Sequence, residues 1–250
     1  EANRVANLNG LVELDSTLGV VPALARSWQV SEDALTYRFQ LRTDAAFCDP
    51  SGNLFKLLNA NDVVATFRRL IDPKIASPGA WIFVDKVQGP ESFQAENDST
   101  VLIELTRPFP AFLSLLSMNF AYILPEEFTQ KDKGYLARHA CGTGPFYLKR
   151  WEQEVKMVLR KNTRYFEKVG AKRLPYLEAV NIDCVKNKQT AFMQFVSGKY
   201  DFFNGLESSI KDELFSKEGQ LNPAYQSQFK AILTPFLNTE FIAFNLSVSG

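Results

Sequence analysis

Apolar and polar positions alternate with a period of two in several short stretches of the chain and with a helical period in a few others. The clearest alternation sets Tyr37, Phe39 and Leu41 against Arg38, Gln40 and Arg42. Successive strand side chains point to opposite faces, so one face of this segment is core and the other is wet. Trp28 and Val30 precede it across Ser31-Glu32-Asp33-Ala34, and together they predict a hairpin. A second hairpin is expected downstream. Its first strand covers 146–151, Glu152-Gln153-Glu154 forms the bend, and Val155, Met157 and Leu159 then share a side opposite Lys156 and Arg160. Immediately before it, Gly142-Thr143-Gly144-Pro145 joins residues tolerant of positive φ to one that fixes φ and lacks a donor. Such a corner redirects the chain sharply. It is expected to return the chain, after a long excursion, to the sheet begun by the Trp28 hairpin.

Helical spacing places Val63, Val64, Phe67, Leu70 and Ile71 on one face, with Asn61 as the cap and Asp72-Pro73 as the stop. A second helix is expected after Pro108, with Phe109, Phe112, Leu113 and Leu116 on one side. A third spans 189–196 and ends at Gly198, which suits the left-handed position after a helix. Ser209 and Asp212 have capping-box spacing ahead of Leu214 and Phe215. Further strands are expected at 11–14, 81–87, 101–105, 180–185, 201–203, 229–233 and 241–246. Residues 20–25 are expected to form a packed turn around Pro22, and 44–58 an irregular segment. Strands alternating irregularly with helices predict an α/β fold with mixed sheets. The longest apolar-leaning run, 109–124, contains Pro110 and Asn119. It is shorter than the ~18–20 residues of a membrane span and is expected to be a buried helix followed by a strand.

Composition narrows the functional classes. The chain has 250 residues, 46% of them hydrophobic, enough for one large domain or two smaller ones. Its formal net charge of zero argues against bulk nucleic-acid binding. The 21 phenylalanines imply an aromatic-rich core or an apolar ligand cleft. Cys48, Cys141 and Cys184 form no close pair; either one disulfide joins Cys48 to Cys141 or all three are inert thiols. His139 is the sole histidine, and zinc held by His139, Cys141 and Cys48 would lack a fourth ligand at standard spacing. Phosphate-loop and dinucleotide fingerprints are absent. The residues alone therefore indicate no cofactor, no metal site and no enzymatic signature. Glu1 opens no signal peptide, so the chain is cytosolic, mature or cut from something longer, and its ends favour the last.

Six segments in order resemble one family. They are ALARSWQVSEDALTYRFQLR (23–42), NANDVVATFRRLIDP (59–73) with ASPGAW (76–81), NDSTVLIELTRPFPAFLSLLS (97–117) with LPEEF (124–128), GTGPFYLKRW (142–151), VLRKNTRYF (158–166) and QTAFMQFVSGKYDFFNG (189–205). Together they resemble the family 5 extracellular solute-binding proteins, the peptide- and nickel-binding components of ABC importers. Cys48, Thr163, Phe166 and the longer insert 50–58 depart from the family's usual pattern, which makes the chain a divergent relative.

The resemblance implies the first lobe of a type II periplasmic-binding-protein-like α/β fold with an inserted α+β subdomain and the second lobe largely absent. On that reading 1–42 and 141–240 form the main sheet of the lobe, 43–140 the insertion, and 241–250 a hinge strand. It also implies a monomer, periplasmic or at the cell surface, lipid-anchored through a missing N-terminal segment. Such a protein captures short peptides, or a related small solute, between two lobes and delivers them to ABC permease subunits. Ligand contacts would fall near Asn9, Gly10, Leu11, Trp81, Phe203, Asn204, Gly205 and Phe241, although Leu11 and Phe241 also read as core. Two alternatives stay open: a peptide sensor or chaperone of the same fold without a transporter, and a hydrolase using a carboxylate or Cys141.

Overall fold

A computed structural model describes residues 7–233. The chain divides into two compact units, Glu1–Cys184 and Val185–Gly250. The first unit opens with strands β1 (Val12–Leu14) and β2 (Val20–Pro22), paired antiparallel. Thus 20–22 is a strand rather than a packed turn. Strand β2 belongs to a two-stranded sheet and has a free edge, where the missing N–H of Pro22 costs little.

The Trp28 hairpin forms as expected, from β3 (Ala25–Val30) and β4 (Thr36–Leu41). Tyr37, Phe39 and Leu41 are buried while Arg38 is exposed, as the alternation requires. Residues 44–58 are more ordered than their turn-rich composition suggested. They hold a second hairpin of β5 (Ala46–Cys48) and β6 (Leu54–Leu57), with Gly52 at φ +82° in its bend.

Helix α1 (Ala60–Ile71) buries Val63, Val64, Phe67 and Leu70. Its cap is Asn59 rather than Asn61. Asn59 Oδ1 accepts from the Asp62 N–H and the Asp62 carboxylate accepts from the Asn59 N–H, a reciprocal capping box. The helix ends at Asp72 before Pro73, as expected. Residues 81–87 form no strand: Ala80–Ile82 is a single 3-10 turn, and Phe83 and Val84 close turns onto Ala80 O.

Strands β7 (Phe93–Asn97) and β8 (Thr100–Glu104) follow. They join the Trp28 hairpin in a four-stranded sheet of order β3-β4-β8-β7. Short helices α2 (Phe112–Leu116), α3 (Glu126–Thr129) and α4 (Lys133–Arg138) lead to the glycine-proline corner. No strand follows α2 directly; the chain makes a 3-10 turn over Asn119–Ala121 and runs on extended. Beyond the corner, β9 (Phe146–Glu152) and β10 (Lys156–Lys161) make the second expected hairpin. After the short pair β11 (Lys168–Val169) and β12 (Lys172–Arg173), strand β13 (Ala179–Asp183) adds to β10. Every ladder among the described residues is antiparallel.

The corner does not return the chain to the Trp28 sheet. The inner edge of β4 is taken by β8, so Thr36–Gln40 pairs with Thr100–Glu104 from within the expected excursion. The β9–β10 hairpin builds its own three-stranded sheet with β13. Gly142 instead pairs with Cys48, its carbonyl accepting from Cys48 N–H at 2.8 Å. The two sheets share the first unit, and the Arg42 guanidinium lies 4.4 Å from the Phe166 ring centroid between them.

The core of the first unit is aromatic. Phe67, Phe83 and Phe93 pack with ring centroids 4.9–5.6 Å apart, and Phe112 meets Tyr37 at 4.9 Å. Edge-to-face pairs of this kind add to area burial. These phenylalanines are therefore core.

The second unit contains helices α5 (Lys188–Val196) and α6 (Ser208–Leu214) around Phe192, Ile210 and Leu214. Gly198 takes φ +79°, as expected after α5. The cap of α6 is Glu207, without a side-chain bond, so the Ser209–Asp212 spacing is not used as a capping box. Residues 201–203 and 229–233 form no strands; Phe203 and Phe229 pack against the cluster from irregular segments. The expected strand at 241–246 and the hinge at 241–250 lie outside the described residues.

Candidate functional site

The segment Asn7–Leu11 meets the glycine corner in the interior of the first unit. Gly144 N–H donates to Asn7 O at 2.9 Å, and a Cβ on Gly142 would sit 1.7 Å from that same oxygen. Only glycine permits this approach. Thr143 Oγ1 donates to Asn9 Oδ1 at 3.0 Å, with both residues buried. Asn162 closes the far side, its Nδ2 donating to Gly144 O at 2.9 Å and its Oδ1 accepting from Cys48 Sγ at 3.1 Å.

The carbonyls of the expected ligand contacts Asn9, Gly10 and Leu11 are engaged internally. Asn9 O accepts from Ile123 N–H, Gly10 O from Leu24 N–H, and Leu11 O from the N–H groups of Ala23 and Ala25. Leu11 is fully buried, in line with its core reading. Beside this segment, β1 carries Glu13, which is half-buried. Burial and then the nearby Glu167 carboxylate push the Glu13 pKa up. Tyr122, also half-buried, has its phenol pushed up by burial and then by Glu13. The buried Tyr165 phenol is pushed up strongly by burial, then by the charge of Glu167 and a hydrogen bond to it, while Asn9 opposes the shift. Burial thus disfavours charge on Glu13, Tyr122 and Tyr165, with Tyr165 bonded to Asn9 and the Glu167 carboxylate close to Glu13 and Tyr165. Electrostatically, such a group favours a cation.

The structure brings Asn9, Gly10 and Leu11 together. Trp81 sits on the 3-10 turn of the same unit, 45% exposed, with its carbonyl accepting from Lys86 Nζ. Phe203, Asn204 and Gly205 belong to the second unit: Phe203 packs on Phe192 and Phe195, whereas Asn204 and Gly205 are exposed. Phe241 lies outside the described residues. Glu13, Tyr122, Tyr165 and Glu167 escaped the sequence reading. They are up to 154 positions apart (167 − 13), and no spacing rule links them; only the RYF end of the family-like segment 158–166 touched one of them.

The hydrolase alternative finds no support in the geometry of Cys141. Its thiol is buried and free, and burial pushes its pKa far up, away from the nucleophilic thiolate. His139 is exposed and stacked on Tyr135 at 4.0 Å, with Nδ1 3.0 Å from Tyr135 O. Cys48 is likewise a free buried thiol, so the alternative of a Cys48–Cys141 disulfide is not the one the structure adopts. Among the described residues no helix is long and apolar enough to cross a membrane.

Comparison with known proteins shows what the chain as a whole resembles. The family described as "Bacterial extracellular solute-binding proteins, family 5 Middle" matches residues 19–249. A probable di/tripeptide-binding protein 5 of Pseudomonas aeruginosa is 36% identical over 178 residues, covering 64% of this chain and 33% of that protein. The dipeptide-binding protein DppE of Bacillus subtilis is 26% identical over 252 residues, 92% of this chain and 44% of that one. Among solved structures, the substrate-binding domain of an oligopeptide ABC transporter from Bacillus anthracis superposes with a TM-score of 0.72 at 29% identity, over 85% of this chain and 42% of its own. The periplasmic binding protein DppA of Helicobacter pylori, in complex with the peptide STSA, gives a TM-score of 0.72 at 27% identity, over 84% and 43%. The chain spans less than half the length of each of these relatives. With the family matched across nearly all of it, and the fold shared with solved members, the chain belongs to the family 5 bacterial extracellular solute-binding proteins.

Proposed function

We propose that this chain is part of the substrate-binding component of an ABC importer, one that captures short peptides outside the cytoplasm and hands them to a membrane permease. The observation that carries this reading is the family match over residues 19–249, together with relatives whose names record di- and tripeptide binding. The physical logic is closure of two lobes on a ligand, which stabilises the closed state by its difference in affinity between the two states. This chain supplies one side, with 241–250 as the path toward the other.

Ligand contact in the first unit falls to the groups beside Asn9 rather than to the engaged carbonyls of 9–11. The half-buried Glu13 and Glu167 repel one another, and a ligand ammonium relieves that repulsion. Trp81 and Asn204 remain contact candidates by exposure. The protein is monomeric in this reading and needs neither metal nor catalysis. Calorimetric titration of a longer protein containing this chain with dipeptides tests the proposal. Micromolar binding that weakens about tenfold in Glu13→Gln supports it. Binding unchanged by that substitution removes Glu13 from the site, and absence of binding to any di- or tripeptide refutes peptide capture.

A further inference from the structure

A cavity of about 780 Å³ lies along the outer stripe of α1, walled by 83–90 on one side and the start and end of α3 on the other. That volume lies within the ~300–1,000 Å³ of small-molecule sites. Its apolar wall is formed by Ile71, Ile75, Val84 and Val87, all at least partly exposed.

Two consecutive arginines line the same groove. Arg68 donates from Nε to Pro90 O at 3.0 Å and from Nη2 to Phe93 O at 2.9 Å, which fixes it to one wall. Arg69, half-buried, donates from Nη1 to Thr129 O on the opposite wall. Each guanidinium has five N–H donors, so both keep donors beyond these bonds. Neither is paired with a carboxylate among the described residues. The half-buried Arg69 guanidinium, held only by a carbonyl, is under-compensated, and a carboxylate is its best planar partner.

Asp72 and Glu126 also line the groove, but both are committed or peripheral. Asp72 Oδ1 accepts from Lys74 N–H at 2.9 Å within the turn that ends α1, and Glu126 is exposed at the rim. Their negative charge disfavours polyanions and leaves room for a single carboxylate.

We propose that this groove binds a small apolar monocarboxylate, its carboxylate on the Arg68 and Arg69 guanidiniums and its hydrocarbon against Ile71, Ile75, Val84 and Val87. Neither the family match nor the peptide-capture reading assigns this site, and the groove shares no residue with the Asn9 cluster. Failure of one proposal therefore leaves the other standing.

The test is an NMR titration of the 250-residue chain with N-acetyl-leucine and, separately, octanoate, which distinguishes an amino-acid-like from a fatty-acid source. N-acetyl-leucinamide, without the carboxylate, is the control. Saturable shifts of the Val84 and Val87 methyls with either acid are expected, at least tenfold weaker with the amide and in Arg69→Gln. Because Arg69 also ties α1 to Thr129, the rim variant Val84→Glu is run in parallel. Val84 is 50% exposed, so this change blocks the groove while far-UV circular dichroism stays unchanged. The proposal is overturned by no saturable shift with either acid, by equal response to the amide, or by undiminished affinity in Val84→Glu.

Discussion

Thr143 and Asn9, 134 positions apart in sequence, meet in the interior through a 3.0 Å hydrogen bond from Thr143 Oγ1 to Asn9 Oδ1. This bond ties the glycine corner to the segment that leads into β1. Thr143→Val keeps the shape of the side chain and leaves a buried amide oxygen without its donor. Stranding such a group costs about 1–3 kcal/mol. Urea denaturation is expected to show a lower midpoint with an unchanged slope, and Thr143→Ser is expected to restore most of the loss.

Gly142 sets a stricter limit than its neighbour. An alanine Cβ there would lie 1.7 Å from Asn7 O, with Leu8 Cδ2 at 2.9 Å, so the backbone itself must shift. Gly142→Ala is expected to destabilise more than Thr143→Val, beyond the ~0.5–3 kcal/mol of ordinary substitutions. Parallel thermal melts check the order of the two.

Asp62 joins three elements. Its fully buried carboxylate accepts from Lys56 Nζ at 2.9 Å on β6, from Asn59 N–H at 2.9 Å at the α1 cap, and from Glu126 N–H at 2.8 Å at the start of α3. Asp62→Ala strands the Asn59 and Glu126 N–H groups and leaves Lys56 only the exposed Glu127 carboxylate at 3.1 Å, so it is expected to cost about 3–5 kcal/mol, as when one member of a buried pair is removed. Asp44→Ala breaks the more exposed Arg42–Asp44 pair and is expected to cost less than about 1 kcal/mol. Equal losses in the two variants would contradict the role given to Asp62.

The Glu13 pKa carries a pH signature. A carboxyl raised in the folded state binds more protons folded than unfolded, so it subtracts stability above its raised folded pKa. That penalty is relieved as pH falls through the raised value and is gone below the ordinary carboxylate range. Glu13→Gln is therefore expected to raise the melting temperature at pH 7 and to lose this advantage near pH 4. A gap that is constant or widens on acidification would count against the burial of this carboxylate.

Much of the fold was legible because local signals and tertiary packing agreed. The alternation of Tyr37, Phe39 and Leu41 and the face of α1 each needed a single period and one buried side. Partner choice was not legible. Nothing in residues 36–41 announces that β8, rather than the hairpin after Gly142, takes the free edge of β4, because an antiparallel edge accepts any strand of suitable register. The α1 cap moved from Asn61 to Asn59 because the reciprocal bond with Asp62, three residues on, fixes the first turn. Trp81–Val87 read as a strand by composition but closes as turns, with Phe83 anchored among Phe67, Phe93 and Phe112. At the candidate site, Asn9, Gly10 and Leu11 came from resemblance. The carboxylates beside them came only from the folded chain, since Glu13 and Glu167 are neighbours in space alone.

Matched calorimetric titrations with a panel of di- and tripeptides bear most directly on one-sided capture. The panel is applied to this 250-residue chain and to a longer protein that carries it together with the remaining length of its relatives. The account predicts micromolar binding by the longer protein and millimolar or undetectable binding by the chain alone, because the proposed reading gives the chain the contacts of one lobe only. Micromolar binding by the chain alone, or none by the longer protein, would contradict it.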